Sequence, residues 1–378
     1  MGWWWTAIAR DQIRNAACNT LTFFCFFVFV PDTITTNTKE RPHPSWQAGW
    51  QAKDRETSLS EATYKHSKEQ QTDIPMTTTS TSFKLPPNLK YISCQLQDGD
   101  QGILRIQLNR PAAFNAINAE MLHELHTVLD VCQHPNSILI SADNHPRVII
   151  ITATPPSRAF SAGVDIKAAD RGIGGQTWDY TDIRSQQLLA RMIEKLRQVP
   201  QPIIVGMQGP AAGAGMAIAL AADVRIATKS ASFSAAFVRL GLTGCDMGTS
   251  FFLPRLVGSG IAAEALLTGR ALSAERAYQV GMVNEIVDTV EGMHGAVTRM
   301  AVDMCKCSRS GLQLTKEQLN AVQDGMSLRA TIVAENSHQM LLVNDSASRQ
   351  IAQKWLNSML TSGGSTTSGG GTSGKSRL

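Results

Sequence analysis

Two glycine-rich stretches decide how this chain is expected to fold: RAFSAGVDIK, residues 158–167, and QGPAAGAGM, residues 208–216. Each follows a short apolar run typical of a buried strand, residues 147–152 and 202–205. Each is also followed by residues that can start a helix. Such turns let backbone N–H groups point at a ligand, with help from the helix dipole. The plainer interpretation is that the glycines only permit tight turns.

Neither stretch fits a common nucleotide-binding motif. The P-loop pattern is absent, and Gly209, Gly213 and Gly215 have the wrong spacing for a dinucleotide fingerprint. Taken together, however, two strand ends can aim N–H groups at one carbonyl oxygen. That arrangement is an oxyanion hole, which stabilises the negative charge of an enolate or a tetrahedral intermediate.

Strand and helix patterns alternate around these stretches. Residues 103–108 alternate apolar and polar side chains, as a half-buried strand does. Residues 118–132 and 185–199 repeat apolar side chains at helical spacing. The order predicts an α/β fold built from β-β-α units, and residues 289–358 show helical patterns alone.

Further ordered motifs complete a pattern that we recognise: residues 108–111, 115–116, 159–167, 209–217, 222–225, 272–277 and 281–284. With them the chain resembles the enoyl-CoA hydratase/isomerase, or crotonase, superfamily from about residue 89 to 357. The resemblance implies a crotonase-like spiral of β-β-α units with a helical C-terminal trimerisation region. It also implies an acyl-CoA substrate, a homotrimer or hexamer, and no permanently bound cofactor, because coenzyme A is part of the substrate.

The resemblance assigns roles to individual residues. The backbone N–H groups of Val164 and Ala214 match the two oxyanion donors. Ala112 stands where many members place a lysine for the coenzyme A phosphates, so part of that anchor is missing. The residues that match the coenzyme A site are Arg158 for a phosphate, Ala162, Asp165 and Ile166 for the adenine pocket, and Gly163 and Gly213 in the two turns.

The acid and base differ from those of the family's hydratases, which use two glutamates. The matching positions are Ala217 and Phe237, and neither can move a proton. Asp246 is the acid that remains nearby, and a cap for the helix predicted over residues 248–256 is its alternative role. We therefore expect an acyl-CoA enzyme of the hydratase/isomerase type, in fatty-acid or related acyl-CoA metabolism. The alternatives are a dienoyl-CoA isomerase or CoA hydrolase using Asp246, or a non-catalytic CoA-binding homologue.

Other features of the sequence suggest little further chemistry. A formal charge of +4 is too weak to indicate nucleic-acid binding. The seven cysteines are scattered, no metal-ligand spacing occurs, and His123 and His126 lie three apart on an expected solvated helix face. Asp223 and Arg225 are expected to form a structural pair. Phe237, Phe251 and Phe252 are expected in the core or along the acyl pocket.

The two ends of the chain differ from its middle. Five of the seven tryptophans lie in the first 50 residues, outside the resemblance. We expect a disordered extension over residues 1–82, a core over 83–288, the helical region over 289–358, and a Gly/Ser-rich tail over 359–378. We also hypothesise that residues 1–75 are dispensable or reflect the choice of start codon. The run of residues 21–30 is too short to cross a membrane. The final tripeptide, Ser376–Arg377–Leu378, predicts recognition by a peroxisomal import receptor and a peroxisomal location.

Overall fold

The computed structural model describes residues 83–97, 102–133, 145–167 and 183–362. These residues all belong to one compact unit. The predictions made for the N-terminal extension of residues 1–82 and for the terminal tripeptide lie outside the described residues.

The strands of the described residues form two sheets. The larger sheet has the strand order β1-β2-β3-β4-β6-β9, and only its β1–β2 pair is antiparallel. Its strands are β1 (Ile92–Gln97), β2 (Ile103–Leu108), β3 (Val148–Ala153), β4 (Ile203–Met207), β6 (Val224–Thr228) and β9 (Glu285–Val287). The smaller sheet consists of β5 (Ala211–Ala212), β7 (Ser232–Ser234) and β8 (Leu272–Ser273). The predicted α/β class is confirmed.

Helices connect and cover these strands. Short 3-10 helices lie at Pro111–Ala113 and Ala236–Leu240. The α-helices are α1 (Ala119–Cys132), α2 (Ile183–Gln198), α3 (Ala214–Ala221), α4 (Thr249–Val257), α5 (Ser259–Thr268), α6 (Ala274–Gln279), α7 (Val290–Cys305), α8 (Arg309–Gln323), α9 (Leu328–Asn344) and α10 (Ser346–Ser362). No helix of the described residues is long and apolar enough to cross a membrane.

The large sheet is buried on both faces because helices pack against each of them. On one face, side chains such as Leu104 and Ile149 join the main core with α1, α2 and α3. On the other face, Ile103 and Ile150 pack against Met293 and its neighbours in α7. Successive residues of a strand therefore point into different cores, because side chains alternate between the two faces of a sheet.

A buried ionic cluster ties α8 to the rest of the core. The Lys316 Nζ atom lies 3.1 Å from Asp223 Oδ2 and donates to the carbonyl oxygens of Leu196 and Gln201. Asp223 Oδ1 also accepts from Arg197 Nη1 at 2.8 Å. Burial lowers the pKa of Lys316 from 10.5 to about 8, although the charge of Asp223 opposes that change. The three charged side chains thereby join α2, the start of β6 and α8.

The expected pair of Asp223 and Arg225 is wrong. Arg225 instead donates to the carbonyl oxygens of Met282, Ala219 and Ala222. Asp223 contacts Arg197 and Lys316 instead, although its charge still raises the pKa of Arg225 against the larger lowering by burial.

The C-terminal region is helical, as the sequence predicts. Its last helix, α10, continues to Ser362, so the predicted start of the tail at residue 359 is too early. Helix α9 buries none of its side chains. Its exposed apolar residues are Leu328, Ile332, Val333, Met340, Leu341 and Val343.

Candidate active site

Asn115 organises the first glycine-rich turn. Its backbone has φ of 54°, and its side chain is fully buried. The Nδ2 atom donates to Ser157 Oγ and to the carbonyl oxygens of Ala159 and Phe160, and Oδ1 accepts from the amide of Arg110. One short side chain thus fixes the turn that leads into Ser161.

The two glycine-rich turns lie side by side. Ser161 and Ala211 form a parallel bridge, and the Ala212 amide donates to the Ser161 carbonyl at 2.9 Å. Helix α3 packs so closely here that a β-carbon on Gly215 would stand 2.6 Å from the same oxygen. Because residue 215 is a glycine, the start of α3 can pack against the first glycine-rich turn. This contact agrees with the expectation that the two turns come together.

Gly163 makes the closest contact between the turns. Its φ of 94° is one that other residues rarely adopt, and an added β-carbon would stand 2.8 Å from the Ala212 carbonyl oxygen. The same position lies 3.4 Å from the amide nitrogen of Ala214. Val164 follows Gly163, so the two predicted oxyanion donors belong to segments in direct contact.

The amides of Val164 and Ala214 are free to bind an anion. Ile117 pairs with the segment around Val164 through two hydrogen bonds: its amide donates to the Gly163 carbonyl, and its carbonyl accepts from the Asp165 amide. The Val164 amide takes part in neither bond. Ala214 is the first residue of α3, where an amide has no acceptor within the helix. Within the described ranges, neither amide donates to a protein acceptor. The helix dipole adds a partial positive charge at Ala214.

The positions of the two missing glutamates are apolar and closed. Ala217 is fully buried on α3. Phe237 is also buried, and its ring lies 3.2 Å from where a β-carbon on Gly213 would stand. An aromatic ring therefore covers the start of α3, as expected for a core or pocket-lining residue. Phe252 is buried as well, whereas Phe251 is half-buried beneath the guanidinium of Arg255.

Asp246 lies half-buried in the turn before α4 and has a defined set of contacts. Its Oδ1 atom accepts from the Met247 amide at 2.7 Å and from Gln186 Nε2 on α2. Its own amide donates to Thr249 Oγ1 at 3.0 Å. For Oδ2, no partner occurs within the described parts of the chain.

The alternative role of Asp246 as the helix cap is wrong. The residue before α4 is Gly248, and no side chain accepts a hydrogen bond at that end. Met247 and Gly248 both have positive φ, 48° and 78°, so the chain turns sharply between Asp246 and the helix. The first amide of α4, that of Thr249, donates to the backbone carbonyl of Asp246 at 2.9 Å and not to its carboxylate.

The predicted coenzyme A residues have mixed surroundings. Asp165 accepts a salt bridge from Arg110 at 2.9 Å and a hydrogen bond from the Lys167 amide. That carboxylate therefore has a structural role. Ala162 and Arg158 are exposed, and Ile166 is 49% exposed.

Phe114 is a neighbour of this segment that the sequence did not single out. Its carbonyl accepts from the Ala162 amide at 2.9 Å, and its ring is 53% exposed. An exposed phenylalanine with a left-handed φ of 51° is unusual, but φ cannot be read from a sequence. Ile166, two residues after Val164, is another exposed apolar residue near this segment.

The remaining reactive side chains show no second site. No group of histidine, cysteine or acidic residues that could hold a metal occurs in the described residues. Cys245 is exposed next to Asp246. The expectation that His126 lies on a solvated helix face is wrong. Its Nε2 atom lies 2.9 Å from the Leu188 carbonyl oxygen, and burial lowers its pKa. It joins α1 to α2.

Within the described residues, fold and site together place two unpaired backbone amides where the two glycine-rich turns meet, an arrangement suited to binding an anion. A sequence profile of the enoyl-CoA hydratase/isomerase family matches residues 98–357. The chain therefore belongs to this family, and the predicted crotonase fold and class of enzyme, one that acts on an acyl-CoA, are confirmed.

Individual relatives agree with this assignment. The chain is 38% identical over 244 residues to a protein named probable enoyl-CoA hydratase from Mycobacterium bovis, covering 64% of this chain and 81% of that protein. It is 30% identical over 242 residues to 1,2-epoxyphenylacetyl-CoA isomerase from Escherichia coli, covering 64% and 87%. The crystal structure of enoyl-CoA hydratase from Bacillus anthracis superposes with a TM-score of 0.62, at 26% identity, over 71% of this chain and 97% of that one.

Proposed function

We propose that the protein moves a proton on an acyl-CoA thioester through an enolate, with Asp246 as its acid and base. The thioester oxygen binds between the amides of Val164 and Ala214. The Asp246 carboxylate removes a proton from a carbon of the acyl chain, so an enolate and a carboxylic acid form. Return of the same proton to another carbon gives an isomer and restores the carboxylate.

The observation that carries this proposal is the contrast between the two halves of the site. The two donor amides are free, whereas both glutamate positions are filled by buried apolar side chains. A hydration needs groups that handle water as well as a carbon-bound proton. A single carboxylate is sufficient to move one proton. The similarity to an isomerase from Escherichia coli fits this reaction type.

The test is turnover of enoyl-, dienoyl- and saturated acyl-CoA by the full chain and by Asp246→Asn. Asparagine keeps the oxygen that accepts from Met247 and Gln186 but cannot take a proton. We expect the isomerisation rate to fall about 100- to 10,000-fold with an unchanged Tm. Asp288→Asn, which alters an exposed ion pair, is the matched control. Unchanged turnover by Asp246→Asn would refute the assignment, and ligand binding without turnover of any thioester would favour the non-catalytic alternative.

The coenzyme A moiety is proposed to lie along residues 162–166. The exposed apolar surface of Ile166 and Phe114 suits the flat face of an adenine. Exposed Arg158 is available for a phosphate. The carboxylate of Asp165 is not available because it is paired with Arg110.

The oligomer is proposed to be a homotrimer or hexamer, as the resemblance implies. Support comes from α9, whose apolar side chains have no cover within the described part of the chain. Trp355 and Leu356 of α10 are exposed as well. A large number of exposed apolar side chains on one region is typical of an interface.

The proposed location is the peroxisome, through Ser376–Arg377–Leu378 and an import receptor. Its support is the tripeptide, the Gly/Ser-rich lead before it, and the acyl-CoA chemistry of the family. A fluorescent reporter that carries residues 359–378 should accumulate in peroxisomes and should become diffuse when Leu378 is removed. A diffuse signal from the intact tail would contradict the proposal.

A further inference from the structure

Gln186 is the side chain from a distant segment that contacts Asp246. It lies in the first turn of α2, 60 residues before Asp246 in the sequence, and is half-buried. The next turn of α2 is anchored in the main core through Leu189, Met192 and Ile193. Gln186 is thus presented by a fixed helix, whereas Asp246 lies in a turn.

The contact leaves the two carboxylate oxygens unequal. Gln186 Nε2 and the Met247 amide both donate to Oδ1. Oδ2 has no partner among the residues that the structure describes. Two donors on one oxygen hold the plane of the carboxylate.

Among the described residues, the charged side chains of the flanking helices do not pair with Asp246 as Gln186 does. On α2, Lys195 pairs with Asp130 and Arg197 with Asp223. On α4, Arg255 lies over the ring of Phe251. In the described structure, the other charged residues of α2 form no ion pair with Asp246: Arg184, Arg191 and Glu194.

We propose that Gln186 is a positioning residue, which holds Oδ1 of Asp246 so that Oδ2 is the oxygen that exchanges the proton. This inference rests on the proposed function of Asp246. Gln186 does not need to touch the substrate. Its amide fixes the direction of the carboxylate before and during the reaction.

The first test is the measurement of kcat and KM for Gln186→Ala in the full chain. We expect kcat to fall about 10- to 100-fold, as for a lost hydrogen bond to a charged group, with little change in KM because Gln186 does not touch the substrate. Gln187→Ala, at the exposed neighbouring position, is the matched control and should leave both unchanged.

Two further variants separate the possible outcomes. Gln186→Glu keeps the size of the side chain but replaces the donating amide with a carboxylate, so kcat should fall at least as far as in Gln186→Ala. Gln186→Ala added to Asp246→Asn should cause no further loss. If Asp246→Asn is inactive but the Gln186 variants keep the normal kcat, the positioning role is wrong and the proposed base stands. If Asp246→Asn is fully active, both are wrong.

Discussion

The position of a β-carbon on Gly163 would lie 3.4 Å from the amide nitrogen of Ala214. These two residues come from different glycine-rich turns, 51 positions apart in the printed sequence. Their contact brings the two predicted oxyanion donors together, because Val164 follows Gly163 directly. The anion site therefore depends on the absence of a side chain at 163.

Gly163→Ala should disrupt the oxyanion site. The added carbon would stand 2.8 Å from the Ala212 carbonyl, so the chain must shift and carry the Val164 amide with it. Loss of one oxyanion donor costs about 3–4 kcal/mol of transition-state stabilisation, and kcat should fall by roughly 100- to 1,000-fold. Gly281→Ala is the control, because Gly281 has a similar φ of 82° but open space around it. Equal kcat values for both variants would contradict the site.

Asn115→Ala should destabilise the whole domain. The change removes the donor to Ser157, Ala159 and Phe160 and the acceptor for the Arg110 amide. We expect a loss of about 3 kcal/mol in the free energy of unfolding, because buried polar groups lose their partners. Urea unfolding measures it. Asn109→Ala, at an exposed position with one side-chain hydrogen bond to Thr154, should change the midpoint little.

Lys316→Met should change how stability depends on pH. Burial lowers the pKa of Lys316 from 10.5 to about 8, so between these values the unfolded chain binds more protons than the folded one. The unfolding free energy of the native protein should therefore rise between about pH 8 and pH 10.5, by at most about 3 kcal/mol. In Lys316→Met this rise should disappear. A rise of the same size in the variant would show that another group causes it.

Charged substitutions on α9 should dissociate the proposed oligomer. Val333 and Leu341 are 60% and 64% exposed, so a glutamate at either position is tolerated by the single chain. In an apolar interface each buried charge without a partner is strongly unfavourable. Light scattering should therefore report trimers or hexamers for the native chain and smaller species for Val333→Glu with Leu341→Glu. Gln339→Glu, at an exposed polar position, should leave the oligomer intact. A native chain that is monomeric at every concentration would refute the proposed assembly.

The sequence predicts the elements of this fold well because their patterns are local. Strand β2 has the predicted bounds, and α1 begins after Asn118, whose side chain accepts from the Met121 amide. Contacts between side chains that are distant in the sequence cannot be predicted in the same way. Arg110 meets Asp165, and Gln186 meets Asp246, across 55 and 60 residues. Such pairs arise from tertiary packing, which periodicity does not encode.

The cap assigned to Asp246 shows a different limit. Aspartate before a helix is a good capping signal, and the helix α4 does begin close to the predicted residue. What the sequence does not reveal is the backbone of Met247, a non-glycine residue with φ of 48°. That single dihedral separates the carboxylate from the helix and places it beside α2 instead.

Helix α3 consists of AGMAIALA and buries every one of its residues, so it brings no charged or hydroxyl group to the site. Whatever it contributes to chemistry comes from its peptide units. In this chain the proposed acid and base, Asp246, therefore lies outside the anion-binding element, and side-chain replacements within α3 are tested chiefly by whether they fit. Ala217 is the position on α3 where a longer side chain would have to find room before it could add an acid to the site.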